Sequence, residues 1–82
     1  MHVTVISPER AVFDSTADAV VAPAFDGQVG ILPQHAPFMT LLGRGLLTVA
    51  AGGAPSRFLV SGGFLQVVGD AVRVVADRVE IS

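Results

Sequence analysis

The sequence contains no cysteine, no lysine, no tryptophan and no tyrosine. Without cysteine, neither a disulfide framework nor a thiolate metal site or nucleophile is available. The five basic residues are all arginines that stand singly along the chain, so we expect no basic patch for nucleic acid or anionic lipid. No apolar run approaches the roughly 18 residues of a membrane span, and the first residues lack the layout of a signal peptide. These absences exclude thiolate chemistry and argue against nucleic-acid binding and a membrane-spanning segment.

Apolar residues are what the chain has in abundance. They make up 51% of 82 residues, and the formal net charge is only −2. A chain of this length buries about 60% of the surface of its unfolded form, so we expect one domain over residues 1–82 with a single core. Such a small domain cannot bury all of its apolar side chains. We therefore predict that part of the apolar surface meets another protein.

Short β-rich runs separated by turn residues indicate the fold class. No stretch keeps a 3.6-residue apolar period, whereas Val3 and Val5 alternate with polar neighbours as in a half-buried strand. Turn signals recur every eight to twelve residues or so. We predict an all-β, two-sheet antiparallel sandwich of about 8–10 short strands. The predicted runs are His2–Ile6, Arg10–Asp14, Asp18–Phe25, Gln28–Leu32, Phe38–Leu42, Leu46–Ala51, Ser56–Val60, Phe64–Val68 and Ala71–Asp77.

Four glycine-containing segments are predicted to redirect the chain. Asp26-Gly27, Gly52-Gly53 and Gly69-Asp70 are typical two-residue hairpin turns. Ser61-Gly62-Gly63 is predicted to be a corner at which the chain passes from one sheet to the other, because glycine tolerates a sharp bend. In the run from Asp18 to Phe25, continuous apolar residues favour a strand covered on both faces, with a proline that implies an edge position or a bulge.

The segment from Gly27 to Pro37 is predicted to be a bent, stiff contact loop. Gly27 and Gly30 permit a bend, while Pro33 and Pro37 restrict the backbone. We expect its apolar side chains to dock on the core and its polar tips to face a partner. The apolar set is Val29, Ile31 and Leu32, and the polar set is Gln28, Gln34 and His35.

No set of residues predicts catalysis, a metal site or a cofactor site. His35 is a lone histidine without an orienting partner or nucleophile in sequence, so we interpret it as a loop or interface residue. Asp26 with His35 is too small a set for a metal. The serines lack the nucleophile-elbow pattern, and no glycine-rich segment is followed by the lysine of a phosphate loop. The five phenylalanines have no basic residues interleaved, so we interpret them as core residues.

Several blocks of residues resemble a known family, the epsilon subunit of the F-type ATP synthase. The resemblance runs from Val3 to Glu80, and two of the blocks together are specific. The blocks are Ser7-Pro8-Glu9-Arg10-Ala11-Val12-Phe13, Ala22-Pro23 to Asp26-Gly27, Gly30-Ile31-Leu32-Pro33-Gln34-His35-Ala36-Pro37, Ser61-Gly62-Gly63-Phe64 and Val74-Val75-Ala76-Asp77.

The resemblance implies a non-catalytic rotor part: an N-terminal β-sandwich at the foot of the central stalk, held against the gamma subunit and resting on the c ring. It places Gln28 toward the polar loops of the c ring, with Gly27, Gly30 and His35 shaping that end. The family often has an acidic residue at this position. Gln28 can still form a hydrogen bond there, but it carries no charge.

On the gamma side, the resemblance implies contacts from Ser7 and Thr40. It also implies a peripheral location on the cytoplasmic side of a bacterial membrane, with no small-molecule ligand and no cofactor. Family members usually continue into a pair of helices that can inhibit ATP hydrolysis and in some bind ATP. We expect this chain to lack that helical hairpin, either naturally or because it was removed.

Two other functions are compatible with the residues alone. An unrelated β-sandwich adaptor would bind some other protein through the same loop and would need no rotor protein. An isolated hydrolase would lose turnover on His35→Ala.

Overall fold

The computed structural model describes residues 1–34 and 36–81, and most of them lie in strands. Within these ranges there are eight strands and no helix, which confirms the predicted all-β class. No described segment therefore forms a helix long and apolar enough to cross a membrane. The strands are β1 (His2–Ile6), β2 (Ala11–Thr16), β3 (Ala19–Ala24), β4 (Gly27–Ile31), β5 (Phe38–Leu41), β6 (Arg44–Ala51), β7 (Ala54–Val68) and β8 (Ala71–Ile81).

The strands form one folded, hydrogen-bonded sheet in the order β2-β1-β8-β7-β6-β3-β4, with β5 also paired to β7. β1 and β8 run parallel, whereas the other pairs are antiparallel. β2 and β4 lie at the two ends of this order, so each is an edge strand. The inner faces of the folded sheet enclose one core, as in a β-sandwich.

Alternating side chains build this core. Val3 and Val5 are fully buried and their polar neighbours point outward, as the sequence predicts. Phe13 and Phe58 meet edge to face, with ring centroids 6.2 Å apart and planes at 74°. The largest fully buried side chains are Ile31, Leu47, Leu65, Val3, Val5, Val20, Val49, Val60, Val67, Val72 and Val74.

A bend in β7 links the two layers. The predicted strands Ser56–Val60 and Phe64–Val68 are one 15-residue strand, so the expected corner at residues 61–63 bends the ladder without ending it. Residues 54–61 pair with β6, and residues 64–67 pair with β5. The ladder between β7 and β8 continues across the bend and omits only Gly62 and its neighbour Asp77. One strand thus serves both layers.

Only glycine fits this bend. Gly62 and Gly63 have φ values of +72° and +101°. A Cβ on Gly63 would lie 2.0 Å from the carbonyl oxygen of Val75, and one on Gly62 would lie 2.5 Å from an Asp77 carboxylate oxygen. The Val75 carbonyl belongs to the backbone of β8 and cannot move without breaking the ladder between β7 and β8.

Two of the three hairpin turns lie at the residues that the sequence predicts. Gly52-Gly53 and Gly69-Asp70 are the turns that join β6 to β7 and β7 to β8. The turn between β3 and β4 lies one residue earlier than predicted, at Phe25-Asp26, because Ala24 pairs with Gly27. Phe25 in this turn is 69% exposed, so the prediction that it lies in the core is wrong.

β3 is covered mainly on one face, not on both as predicted. Val20 and Ala22 are fully buried, whereas Val21 between them is 38% exposed. The strand lies between β4 and β6, but its ladder with β6 ends at Val21, before Pro23. The proline thus lies where one of the two ladders has stopped, as its missing N–H requires.

Candidate interaction surfaces

The segment predicted as a contact loop is in fact half strand. Residues 27–31 form β4, which pairs only with β3 among the described elements. Gly27 has a φ of +137° at the end of the turn. Gly30 has no positive φ, and a Cβ there would meet nothing within 4 Å. The prediction that Gly30 supplies a bend is therefore wrong, since it lies in extended backbone with open space beside it.

Gln28 lies on this edge strand with its side chain exposed. Its register partner on β3 is Pro23. The outer side of β4 has no paired strand in residues 1–34 and 36–81, so backbone groups there face outward beside Gln28. The arrangement offers hydrogen-bonding groups without any charge.

A tight turn follows β4. Ile31 is fully buried and anchors the strand, as predicted, but Leu32 is 64% exposed, so its predicted docking on the core is wrong. Pro33 and Gln34 form the turn, and Gln34 adopts a left-handed φ of 68°. The predicted partner-facing His35 lies outside the described residues.

Ser7 is a buried turn residue. It is 8% exposed, and its hydroxyl donates to the carbonyl oxygen of Arg10 at 3.1 Å. The Arg10 N–H in turn donates to the Ser7 Oγ at 3.3 Å. The side chain therefore holds the connection between β1 and β2, and little of it reaches the surface.

Thr40 is half-buried and lies on the inward-facing side of β5. It pairs with Leu65, which is fully buried, and paired residues share a face of the sheet. The alternate residues Met39 and Leu41 face outward and are 62% and 63% exposed. Side chains of β5 that can touch a partner are therefore chiefly the two that flank Thr40.

These side chains belong to an apolar patch that the sequence analysis missed. The N–H of Phe25 donates to the carbonyl oxygen of Leu41 at 3.1 Å, which brings the β3–β4 turn against β5. We call Phe25, Met39 and Leu41 the β5 patch. Exposed large apolar side chains that cluster in this way mark protein interaction sites more often than solvated surface. Their signal in the sequence is weak, because the run Phe38 to Leu42 has no clear polar alternation.

The titratable groups are dispersed. His2 and Asp14 form an exposed pair across β1 and β2, and the terminal amine of Met1 lies 3.7 Å from the Asp70 carboxylate. Within residues 1–34 and 36–81, no three histidine, cysteine or carboxylate side chains come together in a way that could hold a metal ion. What the geometry offers is contact surface.

Comparison with known proteins identifies the family. The model of the ATP synthase delta/epsilon chain β-sandwich domain matches residues 1–82. The chain belongs to this family. The resemblance of the sequence blocks to the epsilon subunit is thereby confirmed.

Curated relatives agree with the family model. The chain is 42% identical over 98% of its length to an ATP synthase epsilon chain of Chloroflexus aurantiacus, of which it covers 58%. It is 46% identical over 93% of its length to the Desulforamulus reducens epsilon chain, again covering 58%. The chain thus spans little more than half the length of these epsilon chains.

Solved structures share the fold. A chain of the Euglena gracilis mitochondrial ATP synthase, in a structure of its OSCP, F1 and c ring, superposes with a TM-score of 0.89 at 22% identity, covering 96% of this chain and 51% of that one. A chain of the Tetrahymena thermophila central stalk and c ring gives a TM-score of 0.83 at 16% identity, covering 99% and 66%. At these identities the likeness concerns the fold.

Proposed function

We propose that this chain is a non-catalytic rotor element of a proton-translocating ATP synthase, joining the gamma subunit to the c ring. The observation that carries the proposal is its 40–46% identity to epsilon chains, across nearly all of its length in several of them. The Tetrahymena chain of the same fold belongs to a central stalk and c ring assembly, which supports the same placement. The location would be peripheral, on the cytoplasmic side of a bacterial membrane.

The geometry supports a role that depends on contact. The β5 patch presents three large apolar side chains, each more than 60% exposed: Met39 and Leu41 lie on a strand paired with β7, and Phe25 lies in the turn that is hydrogen-bonded to Leu41. Among residues 1–34 and 36–81, the Ser7 hydroxyl closes a turn and His2 pairs with Asp14, so these polar groups are engaged within the fold. Torque transmission requires a body that does not yield, which a closed β core provides.

The proposed contacts with gamma and with the c ring lie on two different surfaces. The gamma side is β5, where Met39 and Leu41 touch the partner and Thr40 lies between them. Ser7 supports this side only through the turn that it holds. The c-ring side is the β4 edge with Gln28, Gly27 and Gly30, followed by the turn that leads to His35.

The coupling of ATP hydrolysis to proton pumping tests the proposal. We expect an ATP synthase assembled without this chain to keep ATP hydrolysis and to lose most ATP-driven proton pumping, because catalysis would reside in other subunits. Restoring the chain should restore pumping. Hydrolysis lost in proportion to pumping, followed by recovery of hydrolysis with the isolated chain, would contradict a non-catalytic role.

A further inference from the structure

Two arginines lie on either side of Ser61 in one cross-strand row. Arg44 on β6 pairs with Ser61 on β7, and Ser61 pairs with Arg78 on β8. Residues paired in this way share a face, and neighbouring strands are about 4.8 Å apart, so the two arginine Cα atoms are roughly 10 Å apart. Both arginines are exposed and Ser61 is half-buried. Their long side chains can converge above the serine hydroxyl.

The next row along the same strands is mainly apolar. Leu46 pairs with Leu59, and Leu59 pairs with Glu80. Leu46 is 38% exposed and Leu59 is 40% exposed. Arg44, Ser61 and Arg78 together with Leu59 and Glu80 line an open depression of about 170 Å³. We call it the arginine depression.

The two guanidinium groups are left available for a partner. The ion pairs found among residues 1–34 and 36–81 join Met1 to Asp70 and His2 to Asp14, and neither includes an arginine. Two of the chain's five basic residues thus share one small depression on a chain of net charge −2. Cations placed this close repel each other unless an anion lies between them.

We propose that the arginine depression receives an aspartate or glutamate side chain of the gamma subunit, an inference that rests on the proposed function. Each guanidinium can donate two parallel hydrogen bonds to a carboxylate, and the Ser61 hydroxyl supplies another donor. Leu59 and the adjacent Leu46 offer the apolar surface that a protein chain covers and a small ion leaves wet. Glu80 at the rim repels a free dianion such as phosphate more strongly than a carboxylate with a single charge.

The position of the depression supports the same partner. Arg44 follows Leu41 of the β5 patch by three residues, and Ser61 precedes Phe64, the register partner of Leu41, by three residues. Along the chain, the arginine depression therefore lies only a few residues from the β5 patch, across the bend in β7 that links the two layers. A partner that covered Leu41 and extended across the bend would reach the depression, where an electrostatic contact would fix its register.

Chemical cross-linking tests the contact. The 82 residues contain no lysine, so Arg44→Lys or Arg78→Lys introduces one side-chain amine at a chosen place. A carbodiimide joins an amine to a carboxylate only where the two already touch. In the assembled ATP synthase we expect either variant to give a cross-link, mapped by mass spectrometry, from the substituted position to an acidic residue of gamma.

The matched control is Arg57→Lys. Arg57 is exposed on β7, paired with Thr48, and lies on the same face but outside the depression. We expect no cross-link from this position. Equal cross-linking from position 57, or none from positions 44 and 78 in an assembled complex, would overturn the inference.

The affinity of the chain for gamma distinguishes a failure of this inference from a failure of the proposed function. The 82-residue chain with Arg44→Ala and Arg78→Ala should bind gamma about 30-fold more weakly in 50 mM salt, and the difference should shrink in 500 mM salt because salt screens charges. Arg57→Ala should change the Kd less than about threefold. If the wild-type chain binds gamma and the double variant binds equally well, only this inference fails. If the wild-type chain does not bind gamma, the proposed function itself fails.

Inorganic phosphate is the probe for a free anion. Titration of phosphate into the chain should give no saturable binding. Saturable binding that Arg44→Ala abolishes would show a small-anion site and overturn the assignment to gamma.

Discussion

The bend in β7 and the edge strand β4 use glycine for opposite reasons. At the bend, a Cβ on Gly63 would lie 2.0 Å from a carbonyl oxygen of β8, and φ is +101°. At the edge, a Cβ on Gly30 would meet nothing within 4 Å. The first glycine is required by the fold. The second glycine leaves the backbone of an edge strand uncovered, so its lack of a side chain affects only the contact with a binding partner.

This difference separates the chain into a body and a contact surface. The body depends on close approach of strands and tolerates no added atom at its bend. The proposed contact surface consists of the exposed residues of β4, the β5 patch and the arginine depression, where substitution of an exposed side chain leaves the core intact. The proposed rotor role requires both properties, since contacts on a yielding body would transmit little torque.

The largest effect is expected at the bend. Gly63→Ala should lower the free energy of unfolding by about 3 kcal/mol or more, because the new methyl group overlaps β8 and alanine rarely adopts this φ. Urea unfolding followed by circular dichroism measures the loss. Gly30→Ala is the matched control and should change stability by less than about 1 kcal/mol. Equal losses in the two variants would remove the contrast between body and edge.

The next effect concerns the anchor of the edge strand itself. Ile31→Ala should lower the free energy of unfolding by about 2–4 kcal/mol, because Ile31 is fully buried and the truncation leaves a cavity. Leu32→Ala removes a side chain that is 64% exposed and should cost less than about 1 kcal/mol. Thermal unfolding of both variants checks the ranking. A reversed order would mean that β4 does not dock through Ile31.

A smaller effect is expected at the β1–β2 turn. Ser7→Ala removes two hydrogen bonds with Arg10 and should cost about 1 kcal/mol in unfolding free energy. Ser15→Ala, at an exposed serine of β2, serves as the control and should be nearly neutral. No difference between the two serines would show that the hydroxyl of Ser7 does not hold the turn.

The smallest effect on folding is expected on the outer edge. Gln28→Ala should change the free energy of unfolding by less than about 0.5 kcal/mol, since the side chain is exposed. In the assembled enzyme it should lower ATP-driven proton pumping, because the proposed c-ring contact loses a hydrogen bond. Pumping at the wild-type rate would contradict the assignment of this edge to the c ring, and a large loss of stability would contradict the exposed position of Gln28.

Much of the fold was predictable because the signals were local. The alternation of Val3 and Val5 identified a half-buried strand, and Gly52-Gly53 identified a hairpin turn. The number of short strand runs in so short a chain predicted the sandwich, and the resemblance of the sequence blocks to the epsilon family supplied the proposed partners. Strand periodicity and turn chemistry both act over a few residues, so a single sequence carries them.

The remaining features depended on contacts that the sequence does not display. Ser61-Gly62-Gly63 was predicted to be a corner between two strands, and only the pairing with β8 on both sides shows that one strand continues through it. Gly30 was expected to bend the chain, yet its neighbours keep it extended. The orientation of Thr40 was also hidden, because the apolar residues around it allow either face of β5 to point inward.

Binding of gamma tests the central claim most directly. Leu41→Asp places a charge in the middle of the β5 patch on a side chain that is 63% exposed, so the fold should remain. We expect at least about a 100-fold weaker Kd for gamma, whereas Ala54→Asp, at an exposed residue beside the β6–β7 turn, should bind as the wild type does. A folded Leu41→Asp chain that bound gamma as tightly as the Ala54→Asp control would contradict the account.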